Sequence, residues 1–292
     1  MLAAVAAPGA VSAADETWQF GTAPGFSSGR YGTDTRTEVF HTPVTVRRHF
    51  RDGDLTLVFP FTCITGNGGV TVVNGIPVRK EVSADSGRAG GAENGATRSQ
   101  GSRAGASPPA RGSGDTTLRP GTGALAHEVT RCGMGDIVVR GRYYILDERG
   151  WMPTVAIRAH VKAATASADD GLGTGRPDEG IGVEVSRTLG GGFLMMVDGG
   201  YTVMGEPAGV EFNNTWWYDV GVGRDLAGGL LNVSVFFEEY RAIVPGLANA
   251  RDILAAVGLR GANGWRLQVA GYIGLSDGAP DNGLAVGASR RF

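Results

Sequence analysis

The sequence predicts an all-β chain: a transmembrane, antiparallel, up-and-down β-barrel of about twelve strands, closed between its first and last strand. Three observations carry that prediction. Apolar and polar residues alternate with period 2 along most of the chain, as in Ile181, Val183, Val185 against Gly182, Glu184, Ser186. Short and long connections alternate between these runs, the pattern of a barrel with tight turns at one end and loops at the other. The chain finishes on another alternating run, Leu284, Val286, Ala288, and stops at Phe292. Soluble chains usually end polar and frayed. An unpaired strand edge in lipid would leave backbone groups unsatisfied at several kcal/mol each, so a terminal strand of this kind must close against another.

From the N-terminus, residues 1–14 are apolar with a small-residue site at Val11-Ser12-Ala13, and read as a signal peptide lacking its basic start. Residues 15–292 then form the barrel. Its strands are expected at 17–30, 36–50, 55–65, 135–147, 152–162, 179–189, 193–203, 211–226, 230–243, 250–261, 264–274 and 283–292. Tight turns fall at Arg51 to Asp54, Asp147 to Gly150, Gly190 to Gly192, Ala227 to Gly229 and Ala262-Asn263. Between them lie longer loops at 163–178, 204–210, 244–249 and 275–282. Residues 66–131 are Gly-, Ala-, Ser- and Arg-rich without apolar period, and read as one long disordered external loop. A soluble sandwich would need a helix, loop or second sheet to cover its other face.

Composition agrees with this order of elements. Glycine is the outlier, 49 of 292 residues, and it is not periodic as in collagen. The formal net charge of −2 gives no reason to expect nucleic acid. Outside the first residues no run reaches the roughly 18 apolar residues of a membrane helix. Localisation in a bacterial outer membrane follows, with its lipids, lipopolysaccharide and barrel-assembly machinery as partners and a small-molecule solute of unknown identity.

Four stretches sharpen the reading: "GMGDIVVRGRYYIL", "GLGTGRPDEGIGVEV", "NNTWWYDVGVGRDL" and "GLSDGAPDNGLAVGASRRF". Together they resemble the outer-membrane family labelled MetA-pathway of phenol degradation, over nearly all of the mature chain apart from the low-complexity loop. The resemblance implies a twelve-stranded barrel that passes small, often hydrophobic or aromatic compounds. It names no catalytic residues. Two features depart from the pattern. The position two before the terminal Phe, often aromatic, is Arg290, and the 66–131 insertion is long.

Parity assigns the side chains that would face the lumen. Arg47, Arg140, Arg142, Arg158, His160 and Lys162 fall inside on the second, fourth and fifth strands. Glu184, Asp198, Asp219, Glu238 and Asp252 fall inside on the sixth to tenth, and Arg266 on the eleventh. Opposite signs thus occupy opposite arcs of the wall. Two consequences stay open: a transverse field across water that filters polar solutes, or charges that pair and fill the lumen. Twelve strands lie between barrels filled by side chains and barrels with an aqueous channel.

Trp18, Phe20, Phe50 and Phe292 are expected in an aromatic belt at the periplasmic rim, and Tyr201, Trp216 and Tyr218 in one at the external rim. Cys63 and Cys132 bracket the insertion at the same end of neighbouring strands, and an oxidising periplasm permits a bond between them. Strict alternation puts the two on opposite faces unless the Gly133-Met134-Gly135 stretch breaks the pleat. "GFSSG" at Gly25 to Gly29 formally matches a nucleophile elbow, but it sits in a strand rather than a strand-turn-helix. "GTGALA" follows disorder, not a strand, so it is no dinucleotide loop. His41, His49, His127 and His160 show no metal spacing. The expected function is passive channel transport, without cofactor or enzymatic activity. Two rivals remain: a structural or adhesive barrel working through its basic loop (Arg88, Arg98, Arg103, Arg111, Arg119), and a membrane-embedded lipid hydrolase. The hydrolase would need a serine and an acid beside a histidine such as His160.

Overall fold

The computed structural model describes residues 17–73, 76–79 and 128–292. Within them twelve antiparallel strands close into a barrel. β1 runs in two segments, Thr17–Thr22 and Gly25–Gly29, followed by β2 (Thr37–Phe50) and β3 (Gly53–Gly66). β4 is also divided, into Val129–Met134 and Val138–Leu146. Then come β5 (Thr154–Lys162), β6 (Asp178–Thr188), β7 (Phe193–Val203), β8 (Thr215–Leu226), β9 (Leu231–Tyr240), β10 (Ala250–Arg260), β11 (Trp265–Gly274) and β12 (Asn282–Arg291). Each strand pairs with its neighbours in sequence, and β1 closes the ring on β12, with Gln19 opposite Arg291 and Ser28 opposite Asn282. The Phe292 N–H donates to the Trp18 carbonyl at 2.8 Å, so the last residue completes the closing seam.

Alternation gives the wall two unlike faces. Along β7, Met195, Val197 and Tyr201 are exposed while Leu194, Met196, Asp198 and Thr202 are buried. The same holds on β10, where Ile253, Val257 and Leu259 point out and Asp252, Leu254 and Ala256 point in. The outer face is a continuous apolar band, far larger than a water-soluble monomer normally exposes. No helix among the described residues is long and apolar enough to cross a membrane; the apolar surface lies on strands.

Inside, Leu194, Met196, Phe236, Leu254, Ala256 and Ala270 form an apolar cluster, with Tyr272 packed against it. Glycine makes this possible. Gly221 lies opposite Phe236 and Gly283 opposite Tyr272, and a Cβ at either would run into the ring. The tight turns use glycine differently: Gly191 and Gly228 adopt left-handed backbone, at φ 74° and 69°.

One level of the wall is interrupted on four adjacent strands. β1 breaks at Ala23-Pro24, Pro43 of β2 lies opposite Pro60 of β3, and β4 breaks at 135–137. The Pro43 carbonyl accepts from Ala23 N–H at 3.4 Å and the Pro60 carbonyl from Gly135 N–H at 2.8 Å. In an antiparallel strand a residue's N–H and C=O point the same way. The donors that proline lacks would therefore have pointed at β1 and β4, where those strands break.

Several sequence expectations need correction. Residues 66–131 are not wholly a structureless loop: Val70–Val73 pairs with Ile76–Arg79 in a hairpin, and Val129–Arg131 belongs to β4. The overlooked signal was two β-branched runs flanking Asn74-Gly75, a strong hairpin pair. The hairpin turns inward. The Val72 N–H and the Thr71 hydroxyl both donate to the Gly171 carbonyl, at 3.1 and 2.8 Å, and Val72 packs with Val39, Ile64 and Leu172. β8 starts at Thr215 rather than 211 because Asn213 and Asn214 serve the loops: Asn214 Oδ1 accepts the Met204 N–H at 2.9 Å. β9 stops at Tyr240 rather than 243 because the Arg241 guanidinium turns back to the Asn214 carbonyl at 3.0 Å. The proposed signal peptide and the insertion's arginines lie outside the described residues.

Candidate functional site

The pleat alone places the twelve expected charged residues on inward rows, since each occupies the parity opposite to the exposed apolar residues of its strand. Register adds what parity could not. Glu184, Asp198, Asp219, Glu238 and Asp252 lie directly opposite one another across β6 to β10, forming an unbroken row of five carboxylates. On the other arc Arg142 is opposite Arg158, and Arg140 is opposite both Thr56 and His160. Like charges on directly opposed strand positions are destabilising, so such rows need compensation.

Part of that compensation comes where the arcs meet, at β5 and β6. Arg158 pairs with Asp198 and reaches Glu184 at 4.0 Å. Arg142 pairs with Glu184 at 3.4 Å and with Asp54 at 3.9 Å. Asp54 also faces Arg47 at 3.6 Å. Sequence reading missed Asp54 because it placed that residue in the turn and started the third strand two residues too late. The Arg158 guanidinium lies over the Trp217 ring at 5.4 Å, which is itself stacked with Tyr240.

Lys162 has a different place from the one expected. It faces inward but lines no open space; it is fully buried, 2.7 Å from Asp178 and 3.2 Å from Asp136, and donates to Thr174 at 3.0 Å. Asp136 in turn accepts the N–H groups of Thr165 and Ala166. This cluster ties the loop after β5 to the break in β4, so Lys162 is a latch at the loop end. Glu184 and Asp198 are likewise covered by their arginines.

The remaining charges line two chambers of about 270 and 260 Å³. The first, toward the loops, is bounded by Tyr31, His160, Trp217, Asp219, Ile243 and Val244. The second, toward the turns, is bounded by Arg47, Glu238, Asp252, Arg266, Gln268 and Tyr272. Both are lined by Pro77, Arg140, Gly141, Arg158, Tyr240 and Ala250, which mark their junction. Tyr31 sits in the loop after β1, and burial raises its phenol pKa. The described histidines are held by neutral partners: His41 Nδ1 lies 2.9 Å from the Thr62 hydroxyl, His49 Nε2 2.9 Å from Gln19 Oε1, and His160 Nε2 3.4 Å from the Thr202 hydroxyl.

On the outer face Trp18, Phe20, Phe50 and Phe292 are exposed at the turn end, and Tyr201, Trp216 and Tyr218 toward the loop end. Phe20 meets Phe292 edge-on at 6.1 Å. Arg290 lies between Trp265 and Phe292, at 5.7 and 4.6 Å, so its cation is held on ring faces where an aromatic side chain would be usual.

A disulfide joins Cys63 of β3 to Cys132 of β4, directly opposite one another with Cα atoms 4.0 Å apart. The facing problem is removed at 135–137. Before the break the even residues Cys132 and Met134 point outward; after it the odd residues Val139 and Tyr143 do.

Residues 62–292 match the model of the family described as "Putative MetA-pathway of phenol degradation". Among solved structures, the chain is similar to the COG4313 outer membrane channel from Pseudomonas putida F1 at a TM-score of 0.62. The two are 11% identical, over 98% of this chain and 99% of that one. A NanC porin structure gives a TM-score of 0.48 at 10% identity, over 93% and 98% of the two chains. At these identities the likeness is one of fold, that of outer-membrane barrels. No curated protein matches the chain.

Proposed function

The chain belongs to the MetA-pathway of phenol degradation family, and on that premise we propose that it is an outer-membrane channel through which small solutes diffuse passively. The short turns would face the periplasm and the long loops the outside. One observation carries this reading. Polarity inverts across a single wall, apolar on every outward row and charged inside, where two chambers meet at Arg140, Arg158 and Tyr240. A barrel built only to sit in the membrane would have no need of two open, charged chambers. The aromatic residues at both rims would set its depth in the bilayer, with lipopolysaccharide around the loops. The strand ending in Phe292 would be the one the assembly machinery engages. The family description points to small aromatic compounds, and Trp217, Tyr240 and Tyr272 offer ring faces along the path.

Single-channel recording of the refolded barrel in a planar bilayer tests the proposal. Discrete openings are expected, with Asp219→Asn shifting selectivity toward anions and Arg140→Gln toward cations. A protein shown to be folded by heat-modifiable gel mobility, yet silent in the bilayer, would refute it.

The interrupted level across β1 to β4 favours a second route. There the wall lacks the donors of Pro24, Pro43 and Pro60, so an apolar solute could leave the lumen sideways into lipid at lower cost than elsewhere.

A further inference from the structure

Wherever inward charges can reach one another in this lumen, they pair: Arg47 with Asp54, Arg142 with Asp54 and Glu184, Arg158 with Glu184 and Asp198. Three groups that line the inner chamber, Arg140, Glu238 and Asp252, do not. Arg140 lines both chambers, yet among the described residues no carboxylate lies within ion-pair distance of it. Asp219 lines the outer chamber, and Glu238 and Asp252 the inner one. No described cation comes within ion-pair distance of Glu238 or Asp252 and no described donor hydrogen-bonds to them, whereas Asp219 lies within the electrostatic reach of Arg158. Glu238 and Asp252 are only 5% and 7% exposed, so their carboxylates are withdrawn from water without a described partner to replace it. Such groups are costly to keep unless something satisfies them.

Register sharpens the arrangement. Asp219, Glu238 and Asp252 are directly opposed on β8, β9 and β10, so neighbouring Cβ atoms lie about 5 Å apart in one strip. Two further carboxylates of the same row are already neutralised by Arg142 and Arg158. No cluster of described residues has the geometry to hold a metal ion. The strip instead offers several acceptors to a donor with several hydrogens, which describes an ammonium group. The unpaired guanidinium at the junction offers a planar fork to a carboxylate. Tyr240 lines both chambers, and its partner in the stack, Trp217, lines the outer one, giving ring faces for an apolar body.

We infer that the inner chamber, where it meets the outer one, is a binding site for small zwitterions with an aromatic or apolar body, the carboxylate held by Arg140 and the ammonium by Glu238 and Asp252. The inference rests on the channel reading and names a solute class for it. A ligand of this kind completes both sets of charges, which the wall leaves apart.

The test is equilibrium dialysis of three probes of similar body against the refolded full-length barrel: L-phenylalanine, 2-phenylethylamine and 3-phenylpropanoate. Phenylalanine should bind about tenfold or more tightly than either singly charged probe. Arg140→Gln should bring it down to the level of the amine, and Glu238→Gln with Asp252→Asn to that of the carboxylate. Equal binding of the three probes, or folded variants that bind phenylalanine as wild type does, would overturn the inference. Should the variants fail to fold, the ranking on the wild-type barrel decides alone. Conductance in potassium chloride, measured on the same protein, separates the two claims. A conducting barrel that ranks the probes equally loses the site and keeps the channel. A silent one that ranks them as stated keeps the site and loses the channel.

Discussion

The arc from β6 to β12 and the arc from β1 to β4 are built from the same alternating residues but behave differently. In the first, pairing runs residue for residue across every strand, from Glu184 opposite Asp198 to Val269 opposite Val286. In the second, every strand carries a proline or a break at one level, and the insertion's hairpin and the loop after β5 pack against the inside. The regular arc is stabilised by its own ladder. The interrupted one depends on contacts from outside the ladder, notably the Lys162 latch at the break in β4. Side-chain pattern alone does not make a uniform wall; the placing of missing backbone donors decides where it is weak.

The largest expected effect separates the arcs directly. Lys162→Met leaves Asp136 and Asp178 buried and unpaired, which should cost about 3–5 kcal/mol. Urea unfolding followed by heat-modifiable mobility reads this, and hydrogen exchange should show the loss first in the Gly135 to Thr165 region. Protection lost evenly around the barrel would erase the distinction. In the regular arc, Val269→Lys places a charge in the middle of the lipid-facing band and should cost roughly 2–4 kcal/mol. The same method applies, and an unchanged midpoint would mean this face does not meet hydrocarbon. Gly221→Val, against the Phe236 ring, should cost about 1–3 kcal/mol by overpacking, with Phe236→Ala in the same chain relieving part of it. The smallest effect on stability is expected from Thr22→Cys with Val44→Cys, an opposed outward pair beside the β1 break. Oxidation should leave ion conductance as it was and slow the passage of toluene from lumen to lipid. Equal slowing of both would argue against a sideways route.

Much of this was legible in the residues. Period 2 revealed the strands, the alternation of short and long connections gave the closed meander, and parity put Arg47, Arg158, Asp219 and their companions on the inner face. What sequence could not show depended on register or on breaks in it. That five carboxylates form one row follows from strand stagger, which no single strand encodes. Lys162 read as a lumen residue because parity knows facing but not the loop that folds over it. Asp54 escaped because a strand boundary moved by two residues, and the hairpin after Gly69 because polar, low-complexity sequence surrounds it. The facing of Cys132 turned on a pleat break that the Gly133-Met134-Gly135 stretch hinted at and that begins at Gly135.

The disulfide also fixes the chain's topology. Cys63 and Cys132 are 69 residues apart in sequence, yet they are cross-strand neighbours in the wall, so the bond closes the insertion into a covalent ring. A single protease cut anywhere inside that ring separates no parts: β1 to β3 stay bonded to β4 to β12 through sulfur as well as through the sheet. Such a nicked molecule should run as one species without reductant and as two fragments with it, and should still be a barrel. Beyond its hairpin, the insertion can therefore be cut, lengthened or exchanged during the life of the protein, or in its evolution, without the wall having to be made again.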